Sequence, residues 1–191
     1  MLKAYKYRIY PTKAQIAQLN GHFGCARHVY NWALKLKEKH YQETGKSLSK
    51  RAIQDAMVLS KKAEFPWLCD VNSQSLLAVL DNLERAFSNF FSGRAKFPRT
   101  KKKYSGWQSF QCPQHVTIDA QVGVINLPKI KGIKAKLHRL FSGNIKTVTI
   151  KRTPSGHYFG SGIAHCASRS CGTNIRFGCW INACINRQCG E

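Results

Sequence analysis

Gly93-Arg94-Ala95-Lys96-Phe97-Pro98-Arg99-Thr100-Lys101-Lys102-Lys103-Tyr104 is the stretch on which the fold turns. Before it, apolar residues return at the period of a helix. After it, they come in short runs of the kind strands make. The stretch itself suits neither. Gly93 is the residue type that ends a helix in the left-handed conformation, and Pro98 lacks the amide that a helix interior or a sheet ladder uses. Six of the twelve residues are Lys or Arg and none is acidic.

Working back from Gly93, Leu76, Leu80, Leu83, Phe87 and Phe90 repeat at alternating spacings of four and three, with Leu77 and Phe91 widening the stripe. Ser73 is placed to cap this helix. The aromatic stripe reads as core packing. Before it, Ser49 caps a shorter helix with Ile53, Ala56 and Met57 turned inward, ended by Phe65-Pro66-Trp67. Earlier still, Thr12 and Gln15 have the spacing of a capping box. The helix they open is expected to run through Leu19 and to break or kink around Gly21 and Gly24. A second helix then carries Phe23, Ala26, Tyr30, Ala33 and Leu36 until Gly45. Two helices joined by a Gly-containing turn outline a helix-turn-helix. A plain antiparallel helix pair fits the same pattern.

Working forward from Tyr104, short runs read as strands: Trp107 to Gln111, Val116 to Asp119, Val122 to Leu127, Ile133 to Leu137 and Ile145 to Lys151. Several strands at this spacing suggest a small barrel or curled sheet. Leu2 to Tyr10 alternates as a strand too, ended by Pro11, and joining it to the later strands makes the helical part an insertion. The expected class is therefore α+β, a helical segment inserted into a small basic β-barrel, with a poorly ordered C-terminal tail. The divisions are residues 1–11 for the first strand, 12–93 for the helical recognition segment, 94–159 for the basic linker and barrel strands, and 160–191 for a Cys-rich tail.

Charge points to the partner. The chain of 191 residues carries 31 Lys and Arg against 9 Asp and Glu, a net +22. Such an excess repels itself in a compact state unless a polyanion offsets it, and nucleic acid is the commonest polyanion. An anionic membrane surface is the rival. Between Arg94 and Arg152 there are fourteen cations and one acid, Asp119. Lys6, Arg8, Arg94, Lys96, Arg99, Lys101, Lys102 and Lys103 are the candidate phosphate contacts. Tyr104, Trp107 and Phe110, interleaved with these cations, fit stacking on unpaired bases and fit strand core equally; Trp107 divides evenly between the two readings and Phe110 leans to core. Nothing in the pattern specifies base readout.

Other chemistries find less support. Two-metal phosphodiester cleavage needs converging carboxylates, yet most acids fall on expected helix surfaces beside Lys or Arg, and 120–190 contains none. No local signature marks a Ser or Cys nucleophile, and His22, His28 and His40 read as core or polar-face residues. No apolar signal region follows Met1 and no run reaches membrane-spanning length. The expected location is the cytoplasm, at the nucleoid if DNA is bound, with reduced thiols and no membrane partner. The tail holds five of the eight Cys, Cys166, Cys171, Cys179, Cys184 and Cys189, without a Cys-x-x-Cys pair. It contains no Lys, and no acid before Glu191.

Ordered blocks along residues 1–159 resemble the OrfB/TnpB family of transposon-encoded proteins. They include Leu2-Lys3-Ala4-Tyr5-Lys6-Tyr7-Arg8-Ile9-Tyr10-Pro11, Val29-Tyr30-Asn31-Trp32-Ala33-Leu34, Phe65-Pro66-Trp67-Leu68 and Arg85-Ala86-Phe87-Ser88-Asn89-Phe90-Phe91. Arg94-Ala95-Lys96-Phe97-Pro98-Arg99 and Val148-Thr149-Ile150-Lys151-Arg152-Thr153-Pro154-Ser155-Gly156 continue the series. The resemblance implies a transposase with a helix-turn-helix near its N-terminus, related to RNA-guided DNA endonucleases. It also implies a wedge-like barrel with an inserted recognition segment, followed in full-length members by a magnesium-using RuvC-like nuclease domain and a zinc ribbon. From about Gly160 this sequence departs: the family's acidic nuclease motif and paired zinc-ribbon Cys are missing, so no catalytic or metal residue is carried over and no cofactor is expected. The abrupt change of composition reads as out-of-frame nuclease-coding sequence. The expected function is nucleic-acid binding, to DNA, structured guide RNA or both, by a truncated family member without catalysis. A component complemented in trans, a zinc module on the tail and a decayed product are the alternatives, and oligomeric state is open.

Overall fold

The computed structural model describes residues 2–104, 106, 108–119, 121–139 and 144–165. Its elements are β1 (Leu2–Tyr10), α1 (Lys13–Thr44), α2 (Lys50–Ala63), a 3-10 turn (Pro66–Asp70), α3 (Ser73–Phe91), β2 (Gln108–Cys112), β3 (Thr117–Asp119), β4 (Val124–Leu127), β5 (Ile130–Lys136), β6 (Asn144–Arg152) and β7 (Tyr158–His165). The α+β class holds, and the helices do lie between the first strand and the rest.

The strands form one antiparallel sheet in the order β2-β6-β7-β1-β5-β4-β3. β1 sits inside it, paired with β7 from Leu2↔His165 to Ile9↔Tyr158 and with β5 at Arg8↔Lys136 to Tyr10↔Lys134. The expected barrel is corrected to an open sheet, because β2 and β3 are its two edges. The sheet still curls strongly. Side-chain atoms of Ile125, Ile150 and Ile9 gather 3.6–3.7 Å from where a Cβ would stand on Gly160 of β7. It stops short of closure because the β3–β4 end is only three and four residues long and because helices share its apolar face. Phe23 of α1 meets Phe110 of β2 edge-on at 5.2 Å, and Ser75 of α3 lies 3.5 Å from the Cys112 sulfur. Buried residues of α1, α2, α3 and the strands make one core.

Helix ends follow local chemistry. Thr12 Oγ1 accepts from the Gln15 amide at 3.4 Å, and Gln15 Oε1 accepts from the Thr12 amide at 2.8 Å, completing the capping box. Ser49 caps α2 as expected. The cap of α3 is Asn72, one residue before the expected Ser73. Gly93, at φ 72°, donates to the Phe90 carbonyl while Arg94 donates to that of Asn89, the paired bonds of a Schellman ending.

Three further expectations change. First, α1 runs unbroken through Gly21 and Gly24 to Thr44. Each glycine costs about 1 kcal/mol relative to Ala in a helix. Burying Leu19, Phe23, Val29 or Leu34 returns about 1.5–3 kcal/mol apiece, so packing overrides the local signal. Second, the α3 stripe is core only as far as Phe87, and Phe91 is 74% exposed. Third, β7 crosses residue 160, where the composition changes. Gly160 and Gly162 hid this strand, since glycine is poor in strands, yet pairing with β1 and β6 along its length places it in the sheet. Trp107 and the Cys-rich tail from Cys166 onward lie outside the described residues.

Candidate nucleic-acid interface

The basic stretch after α3 is a strap fixed to the helices at defined points. Phe97 packs edge-on against Phe87 and Phe90, at 5.7 and 5.3 Å. Pro98 is buried. Asn31 of α1 then grips the strap backbone at one residue: its Oδ1 accepts the Lys101 amide at 2.8 Å, and its Nδ2 donates to the Lys101 carbonyl at 3.0 Å. The Lys101 ammonium rests 4.1 Å from the Tyr30 ring centroid, where loss of solvent lowers its pKa although the residue as a whole stays exposed. Gln108 Nε2 donates to the Lys103 carbonyl and ties the strap to β2.

This anchoring creates a cleft of about 420 Å³ between α1, the strap and the β6–β7 hairpin. Asn20, Arg27, Lys103, Tyr104, Gln108 and Arg152 line it, with Thr153 and Pro154 on the hairpin side. Arg152 donates from Nη1 to Asn20 Oδ1 at 3.1 Å. A neighbouring groove of about 270 Å³ shares Arg27 and Gln108 and adds Thr100, Lys101, Lys102 and Gln111. Among the described residues, none that lines either cavity is acidic. On α1, Asn20, Arg27 and Asn31 recur seven and four residues apart and so share one helix face.

The eight residues expected from sequence divide. Lys101, Lys102 and Lys103 line the cavities. Arg94, Lys96 and Arg99 are exposed along the strap without lining them. Lys6 and Arg8 stand on the exposed side of β1, opposite buried Tyr7 and Ile9. The Lys6 ammonium lies over Phe159 at 4.5 Å, and Arg8 donates to His157 Nδ1 at 2.9 Å. The pattern missed Arg27 and Arg152 as lining residues of the cleft, Asn20 as the partner of Arg152 and Asn31 as the anchor of the strap. The signal was the polar face of α1, hidden by the assumed break at Gly21 and Gly24.

Other reactive side chains are placed for packing. Burial pushes the Cys25 thiol up to about 11 and raises that of Cys112, so both stay protonated at neutral pH and are poor nucleophiles. His28 sits between Phe65 and Trp67, at 4.6 and 4.9 Å, and His22 stacks on Phe110 at 5.1 Å. Burial lowers both imidazole pKa values. Phe110 is buried, as expected of a core residue, whereas Tyr104 is 89% exposed. The acids on the helices are largely engaged: Glu84 with Lys37 at 2.5 Å, Asp55 with Arg51 at 3.3 Å, Glu43 with Lys39 at 3.8 Å, and Asp81 with Lys50. Among the described helices, none is long and apolar enough to cross a membrane.

Known proteins share this arrangement of sequence. Residues 1–46 match the OrfB/IS605 family described as a helix-turn-helix domain. In this structure those residues form β1, α1 and the first residues of the turn after it. The chain is 33% identical over 153 residues to "Putative RNA-guided DNA endonuclease InsQ" of Escherichia coli (strain K12), covering 80% of this chain and 38% of that protein. It is 39% identical over 102 residues to "Putative RNA-guided DNA endonuclease" of Streptomyces pristinaespiralis, covering 53% of this chain and 25% of that one. It is 38% identical over 114 residues to "Virulence protein VsdF" of Salmonella dublin, covering 54% of this chain and 96% of that one. The chain therefore spans well under half the length of the two endonuclease relatives and nearly the whole of VsdF. On the family match and these identities together, the chain belongs to the OrfB/TnpB family.

Proposed function

We propose that this chain binds nucleic acid through the cleft and strap, as the nucleic-acid-handling N-terminal part of a transposase or RNA-guided-endonuclease-like protein. The observation that carries this reading is the convergence of Arg27, Lys101, Lys102, Lys103 and Arg152 on two neighbouring cavities whose described lining has no acid. Cations held this close repel one another, and a phosphate backbone relieves that cost while releasing its own counterions. The anchored strap favours the reading further. Asn31 and Gln108 hold its backbone, so less ordering entropy is lost on binding. The names of two relatives, RNA-guided DNA endonucleases, fit both a DNA and a structured RNA ligand.

The reading includes binding without cutting. Four helix acids are engaged in ion pairs, and Asp119 accepts from the Gln121 and Val122 amides at 3.0 and 3.2 Å. Those carboxylates are spent on the fold rather than converging on a cation.

The test is a titration of the full chain against duplex DNA, single-stranded DNA and structured RNA at several salt concentrations. Five phosphate contacts give a slope of log K on log salt of roughly −4.5 for duplex and −3.5 for single strands. A slope near zero rejects the proposal. Magnesium-dependent cleavage of any substrate, lost on chelation, rejects the non-cutting part alone.

A further inference from the structure

We propose that the 420 Å³ cleft accepts a single unpaired nucleotide, its base stacked on Tyr104 and its phosphate held between Arg27 and Arg152. This rests on the nucleic-acid reading above and adds to it the kind of nucleic acid that the cleft selects. Three features point this way. The first is Tyr104 itself, 89% exposed at the cleft wall although it is a large aromatic. Among the other aromatics of the strap region, Phe110 is core and Phe97 is half committed to Phe87 and Phe90. Tyr104 has instead the Lys103 ammonium 5.4 Å from its ring centroid. An aromatic face beside a cation is the pairing on which single-stranded nucleic acids stack, whatever their sequence.

The second feature is shape. A concave site of this volume lies in the range that encloses a small molecule. A duplex is convex and keeps its bases stacked inside, so it meets a pocket of this size with its backbone only. Sequence readers of duplexes instead push a helix or ribbon outward into a groove. A nucleotide turned out of its stack fills the pocket with both base and phosphate.

The third feature is the division of chemistry within the cleft. Arg27, Lys103 and Arg152 supply charge. Tyr104, Pro154 and Gly106 supply non-polar surface, and the Asn20 and Gln108 amides supply neutral polar groups. Arg152 is held by Asn20 at 3.1 Å and lies 5.9 Å from the Tyr158 ring centroid. Its guanidinium is therefore positioned before any ligand arrives. The hairpin behind it is closed by Thr153, whose amide donates to the His157 carbonyl at 2.8 Å while its Oγ1 accepts the His157 amide at 2.9 Å. Two hydrogen bonds thus hold the wall on that side.

The experiment uses the full chain and its Tyr104→Ala and Tyr104→Phe variants. Each is titrated with four probes: a single-stranded DNA, an RNA of the same sequence, the matching DNA duplex, and the DNA strand with abasic sites throughout. Loss of stacking by Tyr104→Ala weakens single-strand binding by roughly 5- to 150-fold, and Tyr104→Phe restores it. Duplex and abasic binding shift less than twofold. DNA and RNA both support the proposal, and the tighter of the two names the source of the nucleotide. Equal weakening on duplex and single strand overturns it, as does an unchanged single-strand affinity in Tyr104→Ala. The underlying reading fails separately: then the unmodified chain binds none of the four probes in a salt-dependent way.

Discussion

The helical segment and the strap-and-strand region treat charge in opposite ways. Residues 12–93 hold eleven Lys and Arg against seven acids, and four of those acids sit in ion pairs with neighbours on the helices. Residues 94–152 hold fourteen cations against one acid. In the first region acids offset all but four of the cations. In the second the positive charge has almost no acid to offset it, at a cost in self-repulsion that the proposed nucleic-acid partner relieves. Arg27 breaks the division: it belongs to the helices by sequence and to the strap by position, lining both cavities. The proposed interface thus lies where the two regions meet.

The largest effect tests whether the regions are separable at all. Phe110 of β2 packs on Phe23 and His22 of α1. Truncation to Ala at a buried Phe costs about 3–5 kcal/mol. Because the core is continuous across helices and strands, Phe110→Ala is expected to shift one cooperative unfolding transition. Helical circular dichroism and tryptophan fluorescence should follow the same denaturant curve. Two transitions would show that helices and strands fold apart, and the comparison would be between domains rather than between parts of one.

The next effect concerns binding. Replacing both Arg27 and Arg152 by Ala removes two charge-assisted contacts, each worth about 1.5–3 kcal/mol. Affinity for nucleic acid is expected to fall roughly 100-fold or more, and the salt slope to shrink by about 2. The matched control is Lys39→Ala with Arg51→Ala, which breaks two exposed pairs on the helices. Pairs of that kind contribute about 0–1 kcal/mol, and binding should change by less than twofold. Equal losses would mean that overall charge, not the cleft, determines affinity.

A smaller effect isolates the strap. Asn31→Ala leaves the Lys101 amide and carbonyl without their side-chain partner, a loss of about 1–3 kcal/mol if water does not replace it. The strap should loosen while the core stays intact. Trypsin is expected to cut at Lys101, Lys102 and Lys103 several times faster, with little change in global unfolding. Unchanged cleavage would place the strap's order in Phe97 and Pro98 instead.

How much of this was legible in the sequence follows from which forces leave a local mark. The capping box at Thr12 and Gln15, the cap at Ser49 and the αL residue at Gly93 depend on neighbours in sequence, and all three hold. The course of α1 through Gly21 and Gly24 depends on buried contacts to other elements, which no local window contains. β7 was missed for the same reason, since its glycines weaken the local strand pattern and its place in the sheet comes from pairing with β1 at the far end of the chain as well as with β6. The strap cations were legible as a charge run. Their partners Arg27 and Arg152 lie far from them in sequence and become neighbours only through the fold.

The smallest effect separates the regions by pH. His22 and His28 are both on α1, and burial lowers the pKa of each below the usual 6.5. The described structure gives no hydrogen-bond partner to His28 Nε2, and aromatic rings flank that imidazole. In the unfolded chain both rings take up a proton as the pH falls through 6.5, while the folded chain resists until a lower pH. The unfolded state therefore binds more protons in that window, and stability falls as the pH drops below 6.5 and is fully present above it. His28→Phe keeps an aromatic ring among Phe65 and Trp67 and removes one titrating group, so the midpoint of denaturant unfolding should fall less between pH 7 and pH 5 than in the unmodified chain. Arg27 and Arg152 stay charged throughout this range. Nucleic-acid affinity measured where the chain remains folded should accordingly change little over the same interval. An affinity that follows the stability curve would mean that α1, which carries Arg27 next to His28, is already yielding at the cleft.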